Sequence, residues 1–388
     1  MIQVIFLISV FLLFHSYVLY PLILNLLARS KKQNLLIYPS EDELPIISIL
    51  LAAYNEEKVI QKKIETTFNT QYPGHKIELL IGSDKSTDNT NSIIEQYALK
   101  DIRIKFTTFS SRQGKGNILN IISKQANGQI YVLTDAKVFF TPKTLFELVK
   151  HFKNPQIGMV GGNLINKNRE SHEIAVQEMT FMSREIKMKY QEGVVWGTMM
   201  GAYGACYAIR SKNWRPIPEG FSVEDFYMTM KVLQDKKACI TELKAKCFEN
   251  VPGLLQEEFR RKVRISAGNF QNLIAFRRML WPPWKGLSFS FLSHKVIRWI
   301  GPLLLIVAFI SNGVLFSKNI IYKYLFICQI ALLLVPFLDY ILRKIQVHVV
   351  LLRFITHFYG MNAALLTGLF KYLKGVKTNV WEPTARNQ

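Results

Sequence analysis

The chain opens with an unbroken apolar run, Ile2 to Ala28, reading IQVIFLISVFLLFHSYVLYPLILNLLA, with no formally charged residue apart from the titratable His15. At about 1.5 Å per residue a run of this length crosses a bilayer core of about 30 Å as one helix, so residues 1–29 are expected to form a transmembrane segment. A cleaved leader would begin with basic residues and end in small ones, whereas here Arg29, Lys31 and Lys32 follow the run. That placement predicts an amino terminus outside and a cytoplasmic chain from residue 30 onward. Further on, Val296 to Phe316 and Ile321 to Leu342 predict a transmembrane hairpin over 296–342, turning at SKNI. A third run, Val347 to Phe370, carries His348, Arg353, His357 and Asn362. It reads either as a span packed against protein or as a helix lying in the interface. The basic stretch KYLKGVK, at the start of the tail 371–388, favours the interface, since a third crossing would carry it outside.

Between residues 40 and 255 the pattern changes to strand-length apolar runs alternating with helical ones. Strands are expected at ISILLAA (47–53), IELLIGS (77–83), IRIKFTTF (102–109), IYVLTD (130–135) and IGMVGG (157–162), and helices near 57–69, 88–99, 115–126 and 142–152. The alternation predicts an α/β domain with a mostly parallel sheet, whose ligands bind at the carboxyl ends of the strands. Polar motifs sit at those ends: AAYNEE (Ala52 to Glu57), SDKSTDNT (Ser83 to Thr90), RQGKGNILN (Arg112 to Asn120) and TDAK (Thr134 to Lys137). Singly they are weak. Asp88 reads first as a helix cap, Glu56 suits a helix start, and the Gly-Lys-Gly turn lacks the spacing of a Walker loop or a dinucleotide fingerprint.

Composition narrows the class. With 388 residues, 49% of them hydrophobic, the chain buries a sizeable core and is not a disordered polymer. The net charge of +21 suits an anionic membrane face or a phosphorylated substrate; nucleic acid is disfavoured because the basic residues cluster beside the apolar runs. The most basic stretch, residues 256–285, reads as an amphipathic segment resting on the membrane surface. Cys206, Cys239, Cys247 and Cys328 have neither zinc-ligand spacing nor a disulfide pattern and read as reduced thiols.

In order and together, the four motifs resemble the family 2 glycosyltransferases, inverting GT-A enzymes that use nucleotide sugars. The resemblance continues through GAYGACYAIR (Gly201 to Arg210), VEDFYMTMKV (Val223 to Val232), FRRKVRISAGN (Phe259 to Asn269) and SHKVIRW (Ser293 to Trp299), and is strongest with the membrane-bound polysaccharide and glycolipid branch. It implies an integral protein of the bacterial inner membrane with a cytoplasmic catalytic domain, a UDP-linked nucleotide sugar as donor, and a lipid-linked or glycan acceptor. Ala53, Glu56, Asp84, Lys115 and Asp135 would bind the donor. Asp225 would be the general base, with Glu224 beside it. Gly204, Arg261 and Arg264 would meet the acceptor or a phosphate.

Two departures stand out. The family's Asp-x-Asp holds Mg2+ or Mn2+ on the diphosphate, but here Lys137 replaces the second acid and leaves Asp135 alone. Three readings follow, in this order: a weakened metal site on Asp135, a lysine that replaces the metal, or loss of activity. The Gln-x-x-Arg-Trp motif of processive synthases appears with Arg261 for glutamine, Arg264 kept and Ile265 for tryptophan. Isoleucine offers no stacking face, which favours addition of one sugar over processive synthesis. A non-catalytic sugar-nucleotide-binding envelope protein is the rival from another class.

Overall fold

A computed structural model describes residues 1–39, 44–166, 175–249, 255–347 and 349–375, divided into two compact units. Of the described residues, one unit comprises those within 27–166 and 183–249, and the other those within 1–26, 175–182 and 255–375.

The first unit is built on an eight-stranded mixed sheet: β1 (Ile47–Ala53), β2 (Ile77–Ser83), β3 (Ile104–Thr108), β4 (Ile130–Thr134), β5 (Phe139–Phe140), β6 (Ile157–Asn166), β7 (Cys206–Arg210) and β8 (Ala238–Glu249), in the order β3-β2-β1-β4-β7-β6-β8-β5. Strands β3, β2, β1 and β4 are parallel neighbours, as are β6 and β8, while β7 runs antiparallel between β4 and β6. Every residue of β1 and β4 is buried, which is why both read as continuous apolar runs. The chain leaves β1 toward β2 and β3, then returns to place β4 on the other side of β1. That reversal opens a crevice beyond the carboxyl ends of β1 and β4. Register sets Ala53 beside Ser83 and Leu51 beside Thr134, so the polar motifs emerge along one edge.

The helices expected between these strands occur at Ile60–Phe68, Thr90–Lys100, Lys115–Ile122 and Thr144–Val149, the last two ending in 3-10 turns. The helix Ala175–Trp196 and strands β7 and β8 lie beyond the elements predicted from periodicity.

In the second unit, the helices long and apolar enough to cross a membrane, among the described residues, are Ile2–Ala28 and Ile320–Lys344, each with mean hydropathy 2.2. The latter is capped as the SKNI turn suggests, Asn319 Oδ1 accepting from the backbone N–H groups of Ile321 (3.0 Å) and Tyr322 (3.2 Å). The candidate span Val296 to Phe316 is not one continuous helix. The chain bends by 64° between Gly286–Trp299 and Gly301–Leu315, and the pair counts as a third span only if taken together. Pro302 explains the break: it has no N–H for the carbonyl four residues back, and its ring suits the first turn of the new helix.

The third run forms the helix Val350–Leu373. Its Arg353 lies 3.4 Å from Asp339, a carboxylate only 2% exposed on Ile320–Lys344 and also 3.5 Å from Arg343. The helix packs on Leu255–Phe276, where Ser266 Oγ donates to the Leu365 carbonyl at 2.9 Å. Gly368 permits this approach, because a Cβ there would lie 2.3 Å from that of Ser266. The tail from residue 376, His348, and the domain start at 40–43 fall outside the described residues.

Gly368→Leu is therefore expected to destabilise this helix pair by about 1–3 kcal/mol, the usual cost of overpacking, seen as a lower melting temperature in detergent. An unchanged midpoint would mean that the helices do not pack through this contact.

Candidate active site

The loops after β1 and β2 are tied to one another. The Asp84 N–H donates to the Ala53 carbonyl at 2.8 Å. Glu56 N–H donates to Thr90 Oγ1 (2.8 Å), and Asp88 accepts from the N–H groups of Glu57 (3.1 Å) and Thr90 (3.0 Å). Asp88 thus secures the start of the helix Thr90–Lys100, as its capping reading required. Asp84 is fully buried and accepts from Arg112 Nε (3.1 Å), Gln113 N–H (2.5 Å) and Gly114 N–H (3.2 Å). Arg112 in turn stacks on the Tyr54 ring, 3.4 Å from its centroid. The Asp84 carboxylate therefore organises the loop that delivers Lys115. Gly114, with φ of 77°, makes the left-handed turn into the helix that Lys115 begins.

The Lys115 ammonium lies 2.7 Å from Asp135 Oδ1 and 2.7 Å from Glu224 Oε1. Burial opposes its charge, but the two carboxylates outweigh that and hold it above the ordinary lysine range. Glu224 and Asp225 open the helix Glu224–Gln234, where acids face the positive end of the helix dipole. Asp225 Oδ2 accepts from Gly204 N–H at 2.7 Å and Oδ1 from Phe226 N–H at 2.7 Å. Burial and the Glu224 charge push its carboxyl above the usual range, against Lys115, the Phe226 N–H and Lys189. Tyr207, absent from the expected site residues, is fully buried on β7. Its hydroxyl has no hydrogen-bond partner among the described residues, and burial together with Glu224, Asp225 and Asp135 raises its pKa well above that of a free phenol.

The turn after β4 carries Asp135 and Lys137 and closes by Val138 N–H donating to the Asp135 carbonyl at 3.1 Å. Lys137 Nζ lies 3.7 Å from Glu56 Oε2. From beneath, the fully buried Lys63 donates to Thr134 Oγ1 (2.7 Å) and the Val138 carbonyl (2.6 Å), gripping both ends of the turn. Its ammonium also sits over the Phe140 ring, 3.7 Å from the centroid. Burial pushes Lys63 down to about 7, although Cys206, Cys247 and Asp135 pull upward. Lys63 stands in a Lys-Lys doublet of an amphipathic helix, where nothing in the sequence separates it from a solvated lysine.

These donors do not fit a divalent cation. Asp135 and Glu224 already share an ammonium, the second acid position is a lysine, and no three His, Cys, Asp or Glu side chains converge among the described residues. Of the other expected residues, Ala53 ends β1 in the core beside this site, while Arg261 and Arg264 lie on Leu255–Phe276 in the second unit, Arg261 3.3 Å from Glu258 Oε2.

Residues 48–214 match the family model of glycosyl transferase family 2. The chain is 26% identical over 298 residues, 76% of its length and 71% of the relative's, to a poly-beta-1,6-N-acetyl-D-glucosamine synthase of Staphylococcus epidermidis. It is 30% identical over 159 residues, 40% of this chain and 34% of the relative, to a beta-monoglucosyldiacylglycerol synthase of Nostoc. In fold it is similar to the mannosyltransferase PcManGT of Pyrobaculum calidifontis, solved with GDP-Man and Mn2+, with a TM-score of 0.74 and 20% identity over 96% of this chain and 99% of that one. The sheet with its crevice thus has the GT-A fold, and residues 48–214 of the chain match the family 2 glycosyltransferase model. The protein is a glycosyltransferase.

Lys63 gives the folded state a testable pH dependence. Between about 7 and 10.5 the unfolded chain keeps the lysine proton that the folded site releases, so stability rises with pH across that window and is lowest and flat below it. Lys63→Met is expected to flatten this part of the denaturation-midpoint profile. Parallel profiles for the two proteins would show that Lys63 keeps its proton when folded.

Proposed function

We propose that the protein is a membrane-anchored inverting glycosyltransferase, its catalytic domain facing the cytoplasm of a bacterial inner membrane, that adds one sugar from a UDP-sugar to a lipid-linked or glycan acceptor. The observation that carries this reading is the Lys115 bridge, which sets the Asp135 turn and the Glu224–Asp225 helix start side by side at the strand ends. Ala53, Glu56 and Asp84 form the wall of the nucleotide pocket, Glu56 through its carboxylate and Asp84 through the 112–114 loop that it holds. Lys115 and the Asp135 turn face the diphosphate.

Asp225 is the general base. Its elevated pKa makes the carboxylate a better proton acceptor, and the Gly204 N–H orients it. The acceptor oxygen forms a bond to the anomeric carbon as the bond to the diphosphate oxygen breaks on the opposite face. The diphosphate leaves with the electron pair, the hydroxyl proton passes to Asp225, and the configuration inverts. Arg261 and Arg264 offer guanidinium groups to an acceptor phosphate.

A second reading, processive synthesis of a β-linked polymer, is favoured by likeness over most of the chain to a relative named as a polysaccharide synthase. Ile265 and the two or three candidate spans among the described residues favour single addition. Product length on a short acceptor separates the two.

Asp225→Asn is expected to lower transfer by about 100- to 10,000-fold while nucleotide binding survives; near-normal turnover would remove Asp225 from the role of base. A protease added outside intact cells is expected to leave residues 40–281 uncut, and cleavage there would invert the topology.

A further inference from the structure

The mismatch between this donor set and a divalent cation points to another way of meeting the diphosphate charge. We propose that the turn from Thr134 to Val138 neutralises the departing diphosphate with lysine ammonium groups in place of a metal ion, Lys137 from the open side and the buried Lys63 from beneath. The inference rests on the nucleotide-sugar reading above.

The geometry assigns the parts. A metal at the Asp-x-Asp position needs two carboxylates free to turn toward it. Here the Asp135 carboxylate is held by Lys115 Nζ at 2.7 Å, and the same ammonium stands between Asp135 and Glu224, where a cation would otherwise join them. Lys137 lies 3.7 Å from Glu56 across the crevice, near enough to remain on the turn and far enough to exchange that carboxylate for a phosphate oxygen. Lys63 cannot touch a ligand, being fully buried; it is a positioning residue. Its bonds to Thr134 Oγ1 and the Val138 carbonyl fix the turn that presents Asp135 and Lys137, and its charge acts through a short stretch of low-dielectric protein. The groups facing it are Cys206 on β7, Cys247 on β8, Asp135 on the turn and the Phe140 ring. An arriving diphosphate adds negative charge on that side and favours the ammonium form. The dependence on an ion is thereby replaced by groups built into the chain.

The test is titration of the full-length protein in detergent with UDP, GDP and uridine, in chelator and in Mn2+. UDP or GDP is expected to bind in chelator, with no more than a few-fold gain from Mn2+. Lys137→Ala should weaken diphosphate binding about tenfold, one charge interaction of about 1.4 kcal/mol, and Lys137→Asp should make binding depend on Mn2+. Lys63→Met should weaken UDP and leave uridine unchanged, whereas a merely structural role would weaken both. If Lys63→Met does not fold, the Lys137 variants carry the test alone. Binding of UDP or GDP to the wild type only with Mn2+, or a Lys137→Ala protein that binds them as well as wild type, would overturn the inference while leaving the glycosyltransferase reading intact. Failure of both nucleotides to bind under every condition would overturn the donor assignment beneath it.

Discussion

The site depends on one ammonium group. Lys115, between Asp135 and Glu224 at 2.7 Å from each, joins a loop after β3, the end of β4 and the start of a helix more than a hundred residues downstream. Each partner has its own support. The buried Asp84 holds the loop that sets Lys115, β4 is locked between β1 and β7, and the Glu224 helix is tied back by Thr229 Oγ1, which accepts from Ala202 N–H at 3.0 Å. The Asp135 side chain is 40% exposed while those of Lys115 and Glu224 are mostly buried, so it is the Lys115–Glu224 pair whose loss would leave a poorly solvated charge without its partner. Asp225 inherits its position from this bridge, because it follows Glu224 directly.

The bridge also sets the electrostatics. Neutralised by Lys115, Glu224 still lies close enough to raise the pKa of Asp225, while the Gly204 and Phe226 N–H groups limit how far it rises. Neighbouring carboxylates in unequal surroundings are pushed to unequal basicity, and the one with higher proton affinity becomes the acceptor. Tyr207 adds a hydroxyl without a partner in the same buried pocket. A buried phenol without an acceptor is costly to the fold.

What the sequence made legible follows the same physics. β1, β2 and β4 are covered on both faces, so their apolar runs stand out; β8 alternates buried and exposed positions toward its end, and β7 is only five residues long, so neither does. The helix Ala175–Trp196 mixes charged and apolar residues without a clear stripe. Motif residues were visible because four polar motifs follow strand ends in order, although each is weak alone. Lys63 and Tyr207 were not, since their importance comes from partners 71 or more residues away for Lys63, and from the acids around β7 for Tyr207. The break before Pro302 was written in the sequence, but the hydropathy of the surrounding run concealed it.

Lysines built into a donor site differ from a bound ion in what they demand of the fold. A metal brings its charge only with the ligand, so the empty site need not be stabilised against it. Lys63, Lys115 and Lys137 are present in the resting protein, where each must be satisfied. Lys115 has its carboxylates and Lys137 faces Glu56, but Lys63 makes its hydrogen bonds to neutral oxygens and sits over an aromatic face, and burial drives its pKa down although Cys206, Cys247 and Asp135 pull upward. Lys63 is therefore a group whose charged form nearby negative charge would favour. Differential stabilisation of that kind places binding energy where negative charge gathers as the leaving group departs, which is the condition for electrostatic catalysis.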